Sequence, residues 1–444
     1  MSINRRTFIK SSSALAGSFA VPTILQGAGT KRTAPADTVN VALIGCRGHG
    51  WVDLEDMFRA DKSVQCLALC DVDRNVLKTR TESLKRWQEK KPDIYTDYRH
   101  VLERKDIDAV VIGTPDHWHC LITVDACRAG KDVYVEKPMA NSIAECDVMV
   151  AAAKRYGRVV QVGQQQRSAQ LWHDVMTYLK SGRLGKIGRF HAWANYGYTV
   201  VPQTPDTPVP SDLDFDMWLG PAPQRPFNTN RLHGLWRMFW HYGGGLLADW
   251  GVHLLDMGIW GLDIRSMPLK VTASGGNFLF PDSANETFET MNVIYQFKDF
   301  IFTWENTGGR TAPYGKHRGV LFQGTNGTLV ADRESWEVYP DGDRTGRIRG
   351  GAILREDTME EDIGHKAHCG NFIACVKTHD LQTACTPENG AMSATFAHLG
   401  NISARLGGMP VVYDNRAKRF VDNAQADRFL KPDYRSPWKF PEDV

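Results

Sequence analysis

No stretch of about 18 consecutive apolar residues occurs in this chain of 444 residues, which excludes an ordinary membrane-spanning helix. Charge of one sign is also missing: 53 basic against 51 acidic residues leave a formal +2, so no general electrostatic case for nucleic acid exists. The nine cysteines, scattered from Cys46 to Cys385, show no metal-knuckle spacing, and their odd number argues for buried thiols over a disulfide framework. Repeats and low-complexity tracts are absent. What remains is an ordinary globular composition, 42% hydrophobic and 23% charged, long enough for two or three domains.

The first residues are expected to lie outside the fold. Asn4-Arg5-Arg6-Thr7-Phe8-Ile9-Lys10 is a twin-arginine pattern, a weakly apolar segment runs from Ala14 to Leu25, and Ala34-Pro35-Ala36 offers a cleavage site. The charged–apolar–small order predicts a Tat signal over 1–36, with a periplasmic or otherwise exported mature chain and no stable membrane insertion after export. Residues 1–36 carry five basic side chains (Arg5, Arg6, Lys10, Lys31, Arg32) and no acid, so their removal turns the formal +2 into −3.

From residue 39 the chain reads as alternating strands and helices. Val39–Ile44 is a strand running into Gly45-Cys46-Arg47-Gly48-His49-Gly50, followed by a helix through Phe58 and a second strand, Val64–Cys70, closed by Asp71. This order fits a dinucleotide-binding βαβ unit. The glycine spacing is imperfect: Gly45 and Gly50 fit the frame, Arg47 holds the middle position, and Gly48 supplies the close backbone approach instead. The pyrophosphate would sit on the helix N-terminus. Asp71 would accept from the adenosine ribose hydroxyls, and its charge would repel a 2′-phosphate, favouring NAD with NADP as the alternative. A helix over about 74–90, a strand over 108–113, a helix to Arg128, the strand Val133-Tyr134-Val135 and a helix over 143–156 follow. Val159–Gly163 closes a doubly wound parallel sheet spanning 37–163.

Lys137, in Glu136-Lys137-Pro138, falls at the carboxyl end of one of these strands, the edge where open α/β sheets bind ligands. An isolated Glu-Lys-Pro is usually a solvated strand end; its context changes that reading. Thr114, Pro115 and His117 follow another strand at the same edge and Gln165 follows the last, all expected to contact the cofactor, with Arg167 beside them expected to contact the substrate. Beyond 163 the rhythm shifts to a helix near 169–180, a period-two strand over 187–194, a Pro-rich loop over 202–226, strands over 291–304, 318–323 and 328–338, and helices over 362–379 and 387–406. That pattern predicts a substrate and oligomerisation domain over 164–409 built on a large, mostly antiparallel open sheet, with a surface tail over 410–444. Self-association into a homo-oligomer is expected.

The second informative stretch is Gly243-Gly244-Gly245, then a helical pattern with Asp249, His253 and Asp256 at spacings of four and three. These would share one face, and a carboxylate one turn from a histidine can fix its tautomer and steady its cation, which suits a general base. A zinc site lacks an evident third ligand, so no metal is expected here. Nor is one expected at His365, His368, Cys369, Cys375 and His379, which buried thiols and capping histidines explain. Tyr196, Tyr198, Arg237, Phe239 and Trp240 could offer stacking and hydrogen bonds to a sugar, although aromatics are more often core.

Taken together, the turn at 45–50, Asp71, Glu136-Lys137-Pro138 and Asp249-x-x-x-His253 resemble the Gfo/Idh/MocA oxidoreductase family over nearly all of 37–440. The resemblance implies a Rossmann domain, a C-terminal α/β domain with an open sheet, and NAD(P)-linked chemistry on sugars or polyols. Lys137, Asp249 and His253 match the family's catalytic residues, and its Lys–Pro peptide is often cis. Pro115-Asp116-His117-Trp118-His119 and Trp218-Leu219-Gly220-Pro221 resemble an exported bacterial branch. The related family 109 glycosidases also use bound NAD, but their extended Tyr-Pro-Thr-His segment is not found. The expected activity is therefore hydride transfer between a sugar or glycoside carbinol and a tightly held nicotinamide. Redox-neutral glycoside cleavage and a non-catalytic sugar sensor are the alternatives, and the intact lysine, aspartate and histidine argue against the sensor.

Overall fold

The computed structural model describes residues 38–309, 312, 315–340, 354–357 and 363–444. The twin-arginine segment and its cleavage site lie outside the described residues.

Six short parallel strands form the first sheet. In chain order the elements are β1 (Val39–Ile44), α1 (Gly48–Ala60), β2 (Val64–Cys70), α2 (Arg74–Leu84), β3 (Asp93–Tyr95), α3 (Tyr98–Leu102), β4 (Ala109–Ile112), α4 (Asp116–Arg128), β5 (Asp132–Val135), α5 (Ile143–Tyr156) and β6 (Val160–Val162). The strand order β3-β2-β1-β4-β5-β6 reverses direction between β1 and β4, which opens a crevice at their carboxyl ends. β1, β4 and β5 are buried almost throughout, as a sheet covered on both faces requires. Local chemistry sets the helix ends. Asp73 accepts from the Asn75 and Val76 amides, Ser142 Oγ accepts from Glu145 N while Glu145 Oε2 reaches back to Asn141 N, and Gly157 closes α5 at φ 56°. Each such cap contributes about 1 kcal/mol.

The helix expected over 74–90 stops at Leu84. Trp87 leaves the helix to stack on Phe58 at 5.6 Å, and the Gln88 amide pairs with both backbone groups of Cys66 at 2.9 Å, so tertiary contacts override helical propensity.

The remaining α-helices and strands are α6 (Gln170–Lys180), β7 (Ile187–Asn195), α7 (Phe215–Leu219), α8 (Val252–Gly261), β8 (Lys270–Gly276), β9 (Thr290–Gln296), β10 (Ile301–Thr307), β11 (Arg318–Gly324), β12 (Gly327–Ala331), β13 (Ser335–Pro340), β14 (Leu354–Asp357), α9 (His365–Thr378), α10 (Pro387–Arg405), β15 (Tyr413–Asp414), β16 (Arg419–Phe420) and α11 (Ala424–Asp427). β7 to β14 make an eight-stranded sheet, antiparallel except for the β7–β10 pair. The protein is thus α/β, with a doubly wound parallel sheet and a large, mostly antiparallel one. Two strand expectations were too long. The run over 291–304 turns at 297–300 and returns as β10, and 328–338 divides into β12 and β13, because both members of a hairpin carry the same alternation. One face of the second sheet is packed: Met291, Val293 and Tyr295 of β9 point inward, and the Tyr295 hydroxyl donates to Phe396 O of α10 at 2.9 Å.

The final segment does more than cover surface. Trp438 meets Trp118 edge-on at 4.8 Å, and the Tyr434 hydroxyl donates to Glu145 Oε1 at 2.6 Å. Arg435 donates to Gly220 O and to Asp216 Oδ1, anchoring the segment that contains α7. Residues from Asp37 to Val444 form one compact unit.

Candidate active site

The crevice between β1 and β4 is a cleft with about 1190 Å³ of empty volume, open solvent at its mouth included. Its floor is the glycine turn. Gly45 has φ +85°, and a Cβ there would fall 2.6 Å from Gly113 C and Thr114 N, so the β1 and β4 ends approach too closely for any side chain. Beside it Gly48 faces open space, and the first amides of α1 have no side-chain cap, since Arg47 at the N-cap contributes none. Asp71, at the end of β2, accepts from Cys46 N at 2.7 Å and Asp73 N at 3.0 Å. Burial pushes its carboxyl up to about 6, against those two hydrogen bonds. Thr114 Oγ1 is buried at the wall with no hydrogen-bond partner among the described residues. Uncapped amides, an open glycine, a ribose-reaching carboxylate and an orphaned hydroxyl fit a dinucleotide.

The outer wall comes from the second half of the chain: Leu213, Met217, Trp218, His233 and Trp236 line the cleft opposite the glycine turn. Backbone hydrogen bonds Asp214 N to Val72 O and Arg74 N to Asp212 O, both 2.9 Å, pin this wall to the end of β2.

Lys137 and Arg237 line the cleft and both reach Asp249. Lys137 Nζ lies 2.8 Å from Asp249 Oδ1 and 3.1 Å from its carbonyl, Arg237 Nε donates to the same carboxylate at 3.0 Å, and the Tyr198 hydroxyl donates to Oδ2 at 2.7 Å. The Lys137–Pro138 peptide is cis. Burial of Asp249 would raise its pKa, but Lys137 and Arg237, with the hydrogen bonds from Lys137 and Tyr198, outweigh it and hold the carboxylate well below the usual range. His253 is buried, and its Nδ1 has no hydrogen-bond partner among the described residues. Burial, then the charges of Lys137 and Arg333, hold it well below the ordinary histidine pKa, so it is a neutral imidazole.

This geometry corrects part of the expected arrangement. Asp249 does not hydrogen-bond His253, because Lys137, Arg237 and Tyr198 take up its carboxylate; its charge favours the protonated imidazole only through space. Nor do Asp249, His253 and Asp256 form one regular face. Leu247–Gly251 is a π-helical turn ahead of α8, and it changes the angular step between Asp249 and Asp256. Asp256 instead receives both arms of Arg167 at 2.7 Å, and this pair is sealed in the interior, which takes Arg167 out of the substrate set. Trp240 is likewise elsewhere: its ring packs on Arg405 at 4.6 Å and Phe288 at 5.6 Å. His117 turns from the cleft into an aromatic cluster, with Nε2 on Trp218 O at 3.0 Å and its ring near Tyr242. Phe239 belongs to that same core cluster. Gln165 is buried in the short turn after β6 and is not part of the cleft lining.

Gly45, Arg47, Gly48, His49, Asp71, Thr114, Pro115, Glu136 and Lys137 do line the cleft, and Gly50 packs beneath it against Gly45 and Gly113. Tyr196 stacks on Trp250 at 4.8 Å beside Tyr198. Sequence reading missed Asp116, a buried carboxylate in the first turn of α4 that lines the cleft. Burial raises it well above the usual range, with Arg237 and Lys137 opposing. Its position straight after Thr114-Pro115 at a strand end was the available signal.

Among the described residues no cluster of His, Cys, Asp or Glu suits a metal ion.

Comparison with known proteins supplies the family. The profile described as "Oxidoreductase family, NAD-binding Rossmann fold" matches residues 39–164, and "Oxidoreductase family, C-terminal alpha/beta domain" matches 184–348 and 355–440. Among curated proteins, the chain is 24% identical over 258 residues to the Alpha-N-acetylgalactosaminidase of Shewanella oneidensis, covering 54% of this chain and 51% of that one. It is 30% identical over 172 residues to Glycosyl hydrolase family 109 protein 1 of Shewanella sp. (strain ANA-3), covering 34% and 37%. The chain thus spans about half, or less, of the length of these relatives. Of solved structures, the aldose-aldose oxidoreductase from Caulobacter crescentus complexed with glycerol superposes with TM-score 0.63 at 19% identity, covering 84% of this chain and 99% of that one. Levoglucosan dehydrogenase in complex with NADH and levoglucosan gives 0.63 at 17%, covering 85% and 99%. At these identities the superpositions establish the fold, and with the two profile matches they lead to one conclusion: the chain belongs to the Gfo/Idh/MocA oxidoreductase family, with an NAD-binding Rossmann domain.

Proposed function

We propose that this protein is a sugar or glycoside oxidoreductase that works with a tightly held NAD. The observation that carries the reading is Lys137 and Arg237 converging on Asp249 at the inner end of the dinucleotide cleft, beside a neutral buried histidine. When bound, NAD supplies a hydride acceptor at its nicotinamide ring. Lys137 Nζ, fixed by Asp249, donates to the substrate oxygen and stabilises alkoxide character. The neutral imidazole of His253 takes the hydroxyl proton. Asp249, kept ionised by Lys137, Arg237 and Tyr198, holds the lysine in place and favours the imidazolium through space. Thr114, Gly48 and the α1 amides hold the nucleotide, and Asp71 sets the preference for NAD over NADP. Tyr196, Tyr198 and Trp250 form an aromatic edge suited to a sugar face.

The wall pinned to β2 supports slow nucleotide release. Export fits the same reading: all nine cysteines are free and buried, as in a chain folded in a reducing compartment before crossing the membrane, which the Arg5-Arg6 pattern would direct. Outside the cytoplasm no soluble NAD pool replenishes the enzyme, so each cycle must restore its own cofactor. The open sheet face, where Ile294 and Ile301 are exposed, supports a homo-oligomer.

A second reading has its own support. The curated relatives named above are an Alpha-N-acetylgalactosaminidase and a glycosyl hydrolase family 109 protein, and oxidation at one sugar carbon acidifies its neighbour, which permits elimination of a glycosidic leaving group followed by return of the hydride. Product analysis on aryl glycosides separates the two. A keto sugar without released phenol supports the oxidoreductase; stoichiometric phenol with no net keto product replaces it with redox-neutral cleavage.

A further inference from the structure

The outer wall of the nucleotide cleft has a core of its own. Phe215, Trp218 and Leu219 of α7 pack with Phe227, Trp236 and Tyr242, apart from the hydrophobic core of the parallel sheet. α7 has five residues, too few to hold a helix by backbone hydrogen bonds alone. Yet Met217 and Trp218 line the cleft, at the end that Asp71 and Thr96 also line. The start of this wall is pinned to the end of β2. Its far end is held by Arg435, 219 positions beyond Asp216 in the chain. We propose that Arg435 is a positioning residue of the nucleotide cleft, and that the segment over 430–444 is a clasp that keeps the wall closed on bound NAD. The clasp requires NAD in the cleft, as the reading above has it, but no particular sugar chemistry.

Arg435 closes the end of α7. Its Nη2 donates to Asp216 O at 2.9 Å, its Nε to Gly220 O at 3.0 Å, and its backbone N–H to Pro221 O at 2.9 Å. Carbonyls at and just past a helix C-terminus run out of intrahelical partners, and a guanidinium supplies several donors at once. Nη1 also reaches Asp216 Oδ1 at 2.6 Å, but the Asp216 side chain is 72% exposed, and an exposed ion pair adds little. The carbonyl bonds therefore carry the attachment. They press α7 onto the parallel-sheet domain: a Cβ at Gly220 would fall 2.1 Å from Trp118 Cζ2, and Trp118 Nε1 donates to Trp218 O at 3.1 Å. Trp118 itself lines the cleft, so the end of α7 is seated on a cleft residue.

On both sides of Arg435 the segment is fastened to the parallel-sheet domain. Before it, Leu430 O accepts from Ala144 N at the start of α5 at 2.9 Å, and the Tyr434 hydroxyl donates to Glu145 Oε1 at 2.6 Å. After it, Trp438 N donates to Arg435 O at 2.9 Å, in a turn that sets the Trp438 ring against Trp118 at 4.8 Å, with Arg99 over the Trp438 ring at 5.2 Å. Farther on, Arg155 Nη1 at the end of α5 donates to Asp443 O at 2.9 Å. Met217 from the wall and Tyr434 and Trp438 from the segment all pack against the same core of the parallel sheet. Loss of the Arg435 bonds would free the far end of α7 while these fastenings stay in place.

The test uses the full chain loaded with NADH and no sugar. Release is followed by the change in nicotinamide fluorescence after adding excess NAD. Arg435→Ala should release NADH about tenfold faster than wild type, since hydrogen bonds to the wall are lost and weakened binding shows mainly in dissociation. Arg435→Lys keeps the charge but not the forked donors, and its rate should fall between the two. Hydrogen exchange over 213–221 should quicken in Arg435→Ala and stay at the wild-type rate in β5 and β6. NADH release at the wild-type rate in Arg435→Ala, or faster release with unchanged exchange over 213–221, overturns the clasp. A protein whose release rates behave as expected but that oxidises no sugar loses the sugar reading and keeps the clasp.

Discussion

Asp249 and Asp256 sit on one continuous helical stretch, and each is buried against a cation, yet the two pairs do different work. Asp256 meets Arg167 through two 2.7 Å hydrogen bonds with both partners sealed inside, so both carboxylate oxygens are taken up by the guanidinium. Asp249 meets Lys137 at 2.8 Å, but its cations, Lys137 and Arg237, also line a cleft. A closed pair is architecture, because nothing can exchange with it. An open pair leaves a cation whose remaining donors point to where a ligand oxygen can lie. The π-turn at Leu247–Gly251 separates the two environments, setting Asp249 apart from the face that carries Asp256.

The comparison is broken most directly by Lys137→Met, which keeps length and removes the donor. Turnover should fall by roughly two to four orders of magnitude with nucleotide content unchanged. Near-normal turnover in the purified variant would make this pair architectural too. Asp256→Ala is the converse. Leaving Arg167 buried and unpaired should cost about 3–5 kcal/mol in denaturant unfolding, while any protein that folds should keep its rate per bound nucleotide. A variant of normal stability with lost turnover would reverse the roles.

Smaller effects sharpen the account at the cofactor end. Asp71→Ala should weaken NAD and relax discrimination against NADP, since the charge that repels a 2′-phosphate is gone; binding titrations with both nucleotides read this directly. The sign of the pH effect follows from burial. The Asp71 carboxyl is raised to about 6, so it is ionised and able to accept two ribose hydroxyls above that pH, and it is neutral below. NAD affinity should therefore fall modestly as pH drops from 7 to 5, and this pH dependence should vanish in Asp71→Ala. The same raised pKa makes the contribution of Asp71 to folding of the nucleotide-free protein favourable at low pH and progressively lost as pH rises through about 6.

Much of the Rossmann half was legible because its signals are local: a strand, a glycine turn, a helix, a second strand and an acid follow one another in order. Lys137 was legible for the same reason, as a base between a strand and a proline. Its partner was less so. Asp249 stood out by its spacing to His253, but the spacing suggested the wrong contact, since the partners that claim the carboxylate come from residues 137, 198 and 237. Helical periodicity also assumes a uniform step, which the π-turn violates. Arg167 and Trp240 were misplaced because a charged or aromatic residue near a site motif gives no sign of a buried partner distant in sequence, Asp256 for one and Arg405 for the other.

The claim that Lys137 and its cleft perform redox chemistry on a retained nucleotide is tested by dialysing the purified mature protein extensively, then adding sugars and no cofactor. The account predicts nicotinamide dinucleotide stoichiometric with the chain on denaturation, and reduced-nicotinamide absorbance with at least one sugar or glycoside that Lys137→Met does not produce. Nucleotide-free protein that turns over only with added NAD, or equal reduction in Lys137→Met, would contradict it.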